Sequence, residues 1–362
     1  MLMSLMIEDF RDADICHRLI RQIEAETADR TYRFMEVCGS HTMAIAKFGI
    51  KSVLPSNIEL ISGPGCPVCV TPQCEIDALF DIVSKGAVIA TFGDMMRVPG
   101  RNGQSLQKMK SEGADVRIVF SPLDTIKIAK ETDKEVVFVG IGFETTAPAV
   151  AGLALLAKKE GVKNISITPY NKTMPEVLGL LLADKNLKIN GFVCPGHVTA
   201  VTGLGLYEPA VKAGMAAVVT GFEPVDVLTS ILEMVRQVNS GEYKAVNKYS
   251  RVVHDEGNPK ARAVIDEVYE KHGCWWRGIG YIENSGLAFR PEYAEYDAFK
   301  KFGVSLDGDD EIEGCSCGDV LKGYIRPNKC ALFGSVCTPE NPVGPCMVSS
   351  EGACAAAYKY GV

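Results

Sequence analysis

Between residues 31 and 245 the chain repeats one pattern: a short apolar or β-branched run, a loop rich in glycine and proline, and a helix-like stretch. This alternation is typical of parallel sheets whose strands are joined by crossover helices. Upstream, Ile15, Leu19 and Ile23 share one face of a segment rich in Asp, Arg and Glu, which predicts an amphipathic helix. The eight runs predicted as strands are 33–37, 58–62, 87–91, 116–120, 136–141, 165–168, 191–193 and 216–220.

Eight strands fit either one closed barrel or two open sheets, and the segment between the fourth and fifth runs favours two sheets. Residues 126–135 are rich in lysine and glutamate, as expected of a seam between domains. The predicted fold class is therefore α/β, with parallel-sheet domains over 31–125 and 126–245. Residues 1–30 are expected to form a helix that packs on another domain.

After residue 246 the pattern changes. Strand signals become rare, glycine and aromatic residues such as Trp275, Trp276 and Tyr281 become frequent, and cysteines concentrate at the end. These features predict a third, smaller domain over 246–362 whose loops need a metal to hold them together. The N-terminal helix is expected to belong to this domain.

Charge and hydropathy narrow the classes of function. The 38 basic and 45 acidic residues give a net charge of −7, so no overall positive field favours nucleic acid. No apolar run reaches the ~18 residues that a membrane span needs, and the start of the sequence lacks the basic region of a signal peptide, so we expect a cytoplasmic protein. Dinucleotide, P-loop, G-x-S-x-G and H-E-x-x-H motifs are absent, which disfavours ordinary nicotinamide, ATP and hydrolase enzymes.

The sequence contains 13 cysteines, and they are clustered. Because the chain is long, their number is odd and no signal peptide is recognised, metal or redox chemistry is favoured over a disulfide framework. One cluster consists of Cys66, Cys69 and Cys74. The other, in the last fifty residues, consists of Cys315, Cys317, Cys330, Cys337, Cys346 and Cys354.

Several predicted strands end in loops that carry reactive side chains. Ligands of parallel α/β proteins bind at the carboxyl ends of strands, so these side chains are expected at comparable positions. The second run leads to Cys66 and Cys69, whose two-residue spacing suits a redox dithiol or a shared metal; the alternative is a pair of small buried cysteines. Cys74 is predicted to be structural.

The other loops carry weaker signals. Cys38 and His41 form C-x2-H after the first run, which fits an activated nucleophile, two metal ligands or a chance spacing. Glu144 precedes two threonines and fits either chemistry or a helix start. His197 fits either a proton carrier or an ordinary loop histidine.

The tail cysteines are the strongest chemical signal. Their number suits four thiolates around either a [4Fe–4S] cluster or a structural zinc ion. Tight C-x2-C pairs are typical of zinc, whereas the spacing here is dispersed and favours iron–sulfur. The residue pattern alone leaves both options open.

Several blocks of the sequence resemble the HypD family of [NiFe]-hydrogenase maturation factors, over essentially the whole chain. One difference is Met43, where the family pattern has a second histidine. The matching blocks are MEVCGSHT (35–42), GPGCPVCVTP (63–72), GFETTAP (142–148), PGH (195–197), CALFG (330–334), CTP (337–339) and MVSSEGAC (347–354).

The resemblance implies two Rossmann-like domains and a third domain with a [4Fe–4S] cluster. It also implies a maturation scaffold, rather than a conventional turnover enzyme, that works with the small partner HypC. On this scaffold an Fe(II) ion would receive its CN and CO ligands, with cyanide from HypE, before the Fe(CN)2CO group passes to the hydrogenase large subunit.

Carried onto this chain, the resemblance makes Cys38 the iron ligand, and Cys66 and Cys69 a redox dithiol or further iron ligands. His41, Glu144 and His197 become candidates for proton handling or cyanide passage. Four of the tail cysteines are predicted to bind the cluster: Cys330, Cys337 and Cys354, plus either Cys315 or Cys317. Cys346 is the least favoured of the six.

Two other functions fit the same residues. A cluster-dependent disulfide reductase resembling ferredoxin–thioredoxin reductase would use the dithiol and the cluster but would need no iron at Cys38. A zinc-stabilised binding protein would have no redox role. Colour separates the zinc protein from the two iron–sulfur functions, because iron–sulfur proteins are brown and zinc proteins are colourless.

Overall fold

The computed structural model describes residues 7–306 and 313–361. Parts of the predicted segments 1–30 and 246–362 therefore lie outside the described residues. The strands are β1 Tyr32–Glu36, β2 Ile58–Ser62, β3 Val88–Thr91, β4 Val116–Ile118, β5 Val136–Gly142, β6 Ile165–Asn171, β7 Gly191–Pro195, β8 Ala216–Thr220, β9 Ala245–Asn247, β10 Tyr269–Trp276 and β11 Gly280–Phe289.

Helices separate most of these strands, as the repeated pattern predicts. Short 3-10 helices add further turns at Ile7–Arg11, Gly93–Arg97, Leu204–Tyr207, Pro291–Tyr296, Pro327–Lys329 and Pro345–Met347. The α-helices are α1 Ala13–Glu26, α2 Gly39–Lys47, α3 Ile50–Val53, α4 Pro67–Val70, α5 Gln73–Ser84, α6 Leu106–Ser111, α7 Asp124–Lys130, α8 Ala147–Glu160, α9 Met174–Ala183, α10 Gly196–Thr202, α11 Glu208–Lys212, α12 Pro224–Ser240, α13 Pro259–Val268, α14 Ala298–Phe302, α15 Cys317–Leu321 and α16 Ala353–Tyr360.

Two parallel sheets confirm the α/β fold class. One has five strands in the order β2-β1-β7-β8-β9, and the other has four in the order β4-β3-β5-β6. All eight predicted runs form strands, but the sheets do not divide the chain at 126–135. That segment contains most of α7 and connects β4 to β5, two strands of the same four-stranded sheet. In addition, β7 pairs with β1 and β8 with β7, so strands from both predicted halves share the five-stranded sheet. The predicted grouping of strands into sequential halves is therefore wrong.

The strands β3, β5, β7 and β8 are buried on both faces, as is typical of parallel sheets covered by helices. Successive side chains point to opposite faces, so neighbouring residues of one strand belong to different clusters. In β7, Phe192 and Cys194 join an apolar cluster that continues between the two sheets, whereas Val193 joins the cluster on the outer face. This shared core holds the two sheets together.

The N-terminal helix packs on the five-stranded half of the molecule. Asp12 accepts a hydrogen bond from the N–H of Ile15 at 2.8 Å and caps α1. Along its length α1 contacts α12, and Glu26 pairs with Arg236 of that helix. The sequence analysis associates this helix with the C-terminal cysteine domain, and here the structure differs.

The C-terminal part of the chain spreads over both sheets. β9 extends the five-stranded sheet, and β10 pairs with β11 in an antiparallel hairpin that contacts β6. These three strands were not predicted from the sequence. The cysteine-rich tail is mostly loops, and its last helix, α16, packs against α2. This contact brings the tail to the end of β1.

Among the helices in the described part of the chain, none combines the length and apolar character that crossing a membrane requires.

Candidate functional site

The first candidate site is a cleft where the carboxyl ends of the two sheets face each other. The loops after β1 and β7 come from one sheet, and those after β3 and β5 come from the other. Such loops form ligand sites in parallel α/β proteins. Together they enclose a cavity of about 340 Å³, which we call the Cys38 cavity. Its thiol and polar side chains are those of Cys38, Ser40, Asp94, Thr145, Thr146, His197 and Glu351.

Cys38 lies in the turn between β1 and α2, and its side chain is almost fully buried. Burial, followed by the negative charge of Glu351, raises the pKa of this thiol to about 12. Hydrogen bonds involving Ser40 and the backbone of His41 oppose the rise. The thiol is therefore protonated at neutral pH, and a metal cation would have to displace its proton.

The tail and the loop after β2 hold Cys38 from two sides. The carboxylate of Glu351 accepts a hydrogen bond from the hydroxyl of Ser40. A Cβ atom at Gly39 would lie 2.5 Å from the Cβ of Glu351, and one at Gly65 would lie 2.2 Å from the backbone nitrogen of Cys38. Glycine at both positions therefore allows a close approach that no other residue would permit.

Cys66 and Cys69 form a buried dithiol next to the Cys38 cavity. Cys66 caps the short helix α4, and its Sγ lies 2.7 Å from that of Cys69. The two residues between them, Pro67 and Val68, line the cavity. On the tail side, the Cys66 thiol donates a hydrogen bond of 3.2 Å to the hydroxyl of Ser349. The sequence prediction that both sulfurs can meet is consistent with this geometry.

A chain of thiols leads from this dithiol into the tail. Burial raises the pKa of Cys69 well above its usual range, and a hydrogen bond from Cys346 opposes the rise. The Sγ of Cys346 lies 3.0 Å from that of Cys317, which in turn accepts a hydrogen bond from Cys315. Sequence analysis did not identify Cys346 as a link of this kind.

All six tail cysteines line a second, mainly apolar cavity, which we call the tail cavity. Burial, and then the neighbouring thiols of Cys315, Cys337 and Cys330, raise the pKa of Cys354 to about 12. These four residues therefore approach a common space. Among the described residues, no three His, Cys, Asp or Glu side chains are gathered closely enough to hold a metal ion. The cysteines that line this cavity are Cys315, Cys317, Cys330, Cys337, Cys346 and Cys354.

The two candidate histidines contact one aromatic ring. His41 is fully buried, its Nε2 lies 3.0 Å from the carbonyl oxygen of Gly221, and its ring stacks on Phe222. Burial lowers the pKa of His41 to about 3, so this histidine is neutral. His197 also stacks on Phe222, and burial lowers its pKa. Of the two, only His197 lines the Cys38 cavity.

Glu144 lies behind the wall of the cavity. Its Oε1 accepts a hydrogen bond of 2.8 Å from the backbone N–H of Met174, at the start of α9. Its Oε2 is buried, and no hydrogen-bond partner for it lies in the described part of the chain. Burial raises the pKa of Glu144 to about 7. This geometry favours a helix-capping role, but for α9 rather than for the helix that follows it in sequence.

The structure adds side chains that sequence analysis did not consider. Asp94 and Glu351 line the Cys38 cavity, and Ser349 contacts the dithiol. Ser349 and Glu351 belong to the block 347–354, so that block was the available signal. Asp94 had no such signal.

Two parallel sheets, a buried thiol at their shared edge and a thiol-lined tail define a class of cysteine-rich α/β protein with two separate thiol sites. Comparison with known proteins identifies the family. The family model described as "HypD: Hydrogenase formation hypA family" matches residues 14–361, so the chain belongs to this family.

Curated relatives match along nearly their whole length. The chain is 43% identical to the hydrogenase maturation factor HypD of Cupriavidus necator, over 98% of this chain and 97% of that protein. It is 44% identical to the protein of the same name from Rhizobium leguminosarum bv. viciae, over 98% and 95%. The HypD of Rhodobacter capsulatus is 44% identical, over 98% and 97%.

Proposed function

We propose that this chain acts in [NiFe]-hydrogenase maturation as a scaffold that carries an iron ion on Cys38 while its diatomic ligands are attached. The observation that carries the proposal is the position of Cys38, at the edge shared by both sheets and in a cavity with His197 and Glu351. Family membership and the names of the relatives support the biological role.

The chemistry of Cys38 suits iron as cargo. A soft thiolate binds low-valent iron well. The high pKa of the free thiol means that metal binding must release its proton. Glu351 and Asp94 supply negative charge on the cavity wall, which favours a bound cation. One protein thiol leaves coordination positions for CN, CO and a ligand from a partner.

The dithiol supplies the redox part of the proposal. When Cys66 and Cys69 form a disulfide, the two thiols give up two electrons and two protons. The thiols of Cys346 and Cys317 extend from this pair towards the tail, which supports electron exchange between the dithiol and the tail cavity. The dithiol also adjoins the cargo cavity through Pro67 and Val68.

The tail suits a resident [4Fe–4S] cluster. Four thiols around an apolar space match the donor set of such a cluster. We propose Cys315, Cys330, Cys337 and Cys354 as its ligands, because the thiols that act on Cys354 are those of Cys315, Cys337 and Cys330 and not that of Cys317. When bound, the cluster would supply one-electron transfer beside that chain. We assign the fourth position to Cys315 on this ground.

The proposed partners follow from the family role. They are HypC, which would complete the iron site, HypE as the cyanide donor, and the hydrogenase large subunit as the final acceptor. A cytoplasmic location suits the proposed role, since reducing compartments keep thiols available for metal binding and redox chemistry.

The decisive test is infrared spectroscopy of the anaerobically purified protein with HypC, for the wild type and Cys38→Ala. We expect cyanide and carbonyl stretching bands in the wild type and none in Cys38→Ala. The brown absorption near ~400 nm should remain, because the tail thiols are unchanged. The matched control is Cys16→Ala, which removes a partly exposed thiol on α1. Unchanged iron bands in Cys38→Ala would contradict the proposal.

The thiol chain favours a second candidate, a cluster-dependent disulfide reductase. This function needs the dithiol and the cluster but no iron at Cys38. A brown protein that reduces disulfides, shows no cyanide or carbonyl bands with HypC, and keeps its reductase activity in Cys38→Ala would support the reductase over the scaffold.

A further inference from the structure

Arg277 is a buried arginine between the dithiol and the tail, and only 3% of its surface is exposed. Its backbone N–H donates to the carbonyl oxygen of Val70 at 2.8 Å. Its Nε donates to the carbonyl oxygen of Thr71 at 2.8 Å, and its Nη1 donates to the amide oxygen of Gln73 at 3.1 Å. These three acceptors follow Cys69 in the sequence, so one residue fixes the end of the dithiol segment.

Within the described residues, the hydrogen bonds of this guanidinium bring it no negatively charged partner. Both acceptors of its side chain are neutral oxygens. Its Nη2 is buried, and no hydrogen-bond partner for it lies in residues 7–306 or 313–361. Burying a cation costs several kcal/mol unless an anion or further hydrogen bonds compensate it. The position of Arg277 therefore calls for an anionic neighbour.

On the tail side, Arg277 lines a cavity of about 850 Å³ together with the thiols of Cys315 and Cys317. The carboxylates of Glu313 and Asp319 line the same cavity. The following residue, Gly278, packs so closely on Gly318 that a Cβ at Gly278 would lie 2.3 Å from the Gly318 Cα. This contact holds the arginine against the start of α15.

The charge of Arg277 acts on those thiols. The guanidinium lines the same cavity as Cys315 and Cys317, so it attracts negative charge on either sulfur. A positive charge that stabilises a thiolate here also stabilises any other negative charge gathered at the same thiols.

We propose that Arg277 is the buried counter-charge of the thiolate-bound cluster and raises its reduction potential. The inference rests on the cluster in the proposed function and adds a residue that tunes it. Reduction adds one electron, and a cation fixed in a low-dielectric environment stabilises the more negative state. Because Arg277 also binds the backbone after Cys69, it fixes the dithiol relative to the group that exchanges electrons with it.

The test is a redox titration of the full-length, anaerobically purified protein, monitored by electron paramagnetic resonance and visible absorbance. Arg277→Gln removes the charge and keeps a polar side chain, whereas Arg277→Lys keeps the charge. The matched control is Arg326→Gln, which removes an exposed guanidinium of the tail that pairs with Glu59. Iron and acid-labile sulfide are counted in every variant.

In Arg277→Gln we expect the midpoint potential to fall, with at least a tenfold lower ratio of reduced to oxidised cluster at a fixed potential, or ~59 mV for one electron. Arg277→Lys and Arg326→Gln should titrate like the wild type. An unchanged potential in Arg277→Gln would overturn the inference. So would equal shifts in Arg277→Gln and Arg277→Lys, because hydrogen bonding rather than charge would then set the potential.

Two further outcomes separate this inference from the proposed function. If Arg277→Gln does not fold, Arg277→Lys decides: a wild-type potential supports the counter-charge, and a lowered potential refutes it. A colourless wild type without sulfide would overturn the cluster assignment itself. If the wild type is brown but the midpoint potential of the cluster does not change in Arg277→Gln, only the role of Arg277 is overturned.

Discussion

Cysteine thiols line both the Cys38 cavity and the tail cavity, but polar side chains surround the thiol in the first and a mainly apolar space adjoins the thiols in the second. At Cys38 a single thiol lies in a cavity at the shared edge of the sheets, with His197, Asp94 and Glu351 in the lining. In the tail, six thiols line one mainly apolar cavity. The dithiol of Cys66 and Cys69 lies between these regions.

The difference shows how neighbours decide what a cysteine can do. An isolated thiol among polar groups can bind one cation and leave positions for other ligands, which suits transient cargo. Thiols that face one another in an apolar space suit a resident cluster and electron transfer. Substitutions at Cys337, Glu351 and Glu144 test this division between cargo thiol and cluster thiols.

Cys337→Ala removes one of the proposed cluster ligands, a buried cysteine that faces the tail cavity. We expect complete loss of the absorption near ~400 nm and of acid-labile sulfide, because an alanine cannot ligate iron. The two sheets should remain folded, since their core does not depend on the tail thiol. Far-ultraviolet circular dichroism and sulfide analysis measure both effects. Cys16→Ala is the control, and full sulfide content in Cys337→Ala would remove Cys337 from the ligand set.

Glu351→Ala tests whether the tail contributes to the cargo site. It removes the carboxylate that accepts the Ser40 hydroxyl and packs on Gly39. Hydrogen bonds to charged groups contribute ~1.5–3 kcal/mol, so we expect at least about a tenfold loss of iron affinity with the tail cluster intact. Iron analysis and infrared band intensity of the complex with HypC measure it.

The control for this variant is Glu340→Ala, which removes an exposed carboxylate of the tail outside the Cys38 cavity. If Glu351→Ala and Glu340→Ala retain equal amounts of iron, Glu351 does not contribute to the cargo site and the two thiol regions function independently.

Glu144→Gln tests a residue that lies beside the cavity without lining it. Burial raises the pKa of Glu144 to about 7, so the folded state binds a proton that the unfolded state has lost above about pH 4.5. The contribution of Glu144 to the free energy of unfolding is therefore fully present below about pH 4.5. It is lost as the pH rises through 7, and the total loss is about 3 kcal/mol.

The neutral glutamine avoids that loss. Thermal unfolding should give Glu144→Gln the wild-type midpoint at pH 5 and a midpoint a few degrees higher at pH 8. Glu160→Gln, in an exposed pair with Lys130, is the control and should follow the wild type. A large loss of iron in Glu144→Gln would instead assign Glu144 to the cargo chemistry.

The sequence predicted the strands well because their signals are local. Runs such as 58–62 and 216–220 are apolar or β-branched and coincide with β2 and β8. Their grouping has no local signal. Met35 of β1 pairs with Phe192 of β7, far along the chain, and only the burial of both faces in the folded molecule selects that partner. A polar surface segment at 126–135 therefore resembled a domain seam without being a boundary between sheets.

The same distinction between local signals and long-range contacts applies to the candidate site residues. The reactive side chains after β1, β2 and β7 could be read from the sequence, because carboxyl-end loops gather at one edge. Which of them share a cavity could not be read. His197 joins Cys38, whereas His41 is buried away from the cavity and Glu144 caps a neighbouring helix.

The α/β class, the eight main strands, the clustered cysteines and the family could all be read from the chain, because they depend on residue type, spacing and local periodicity. The tertiary structure decided which strands share a sheet, that Glu351 reaches the Cys38 cavity, that Cys346 joins the dithiol to the tail, and that Arg277 is buried beside tail thiols. These contacts join residues distant in the chain. They form only when apolar faces pack and bring such residues together, so no local pattern encodes them.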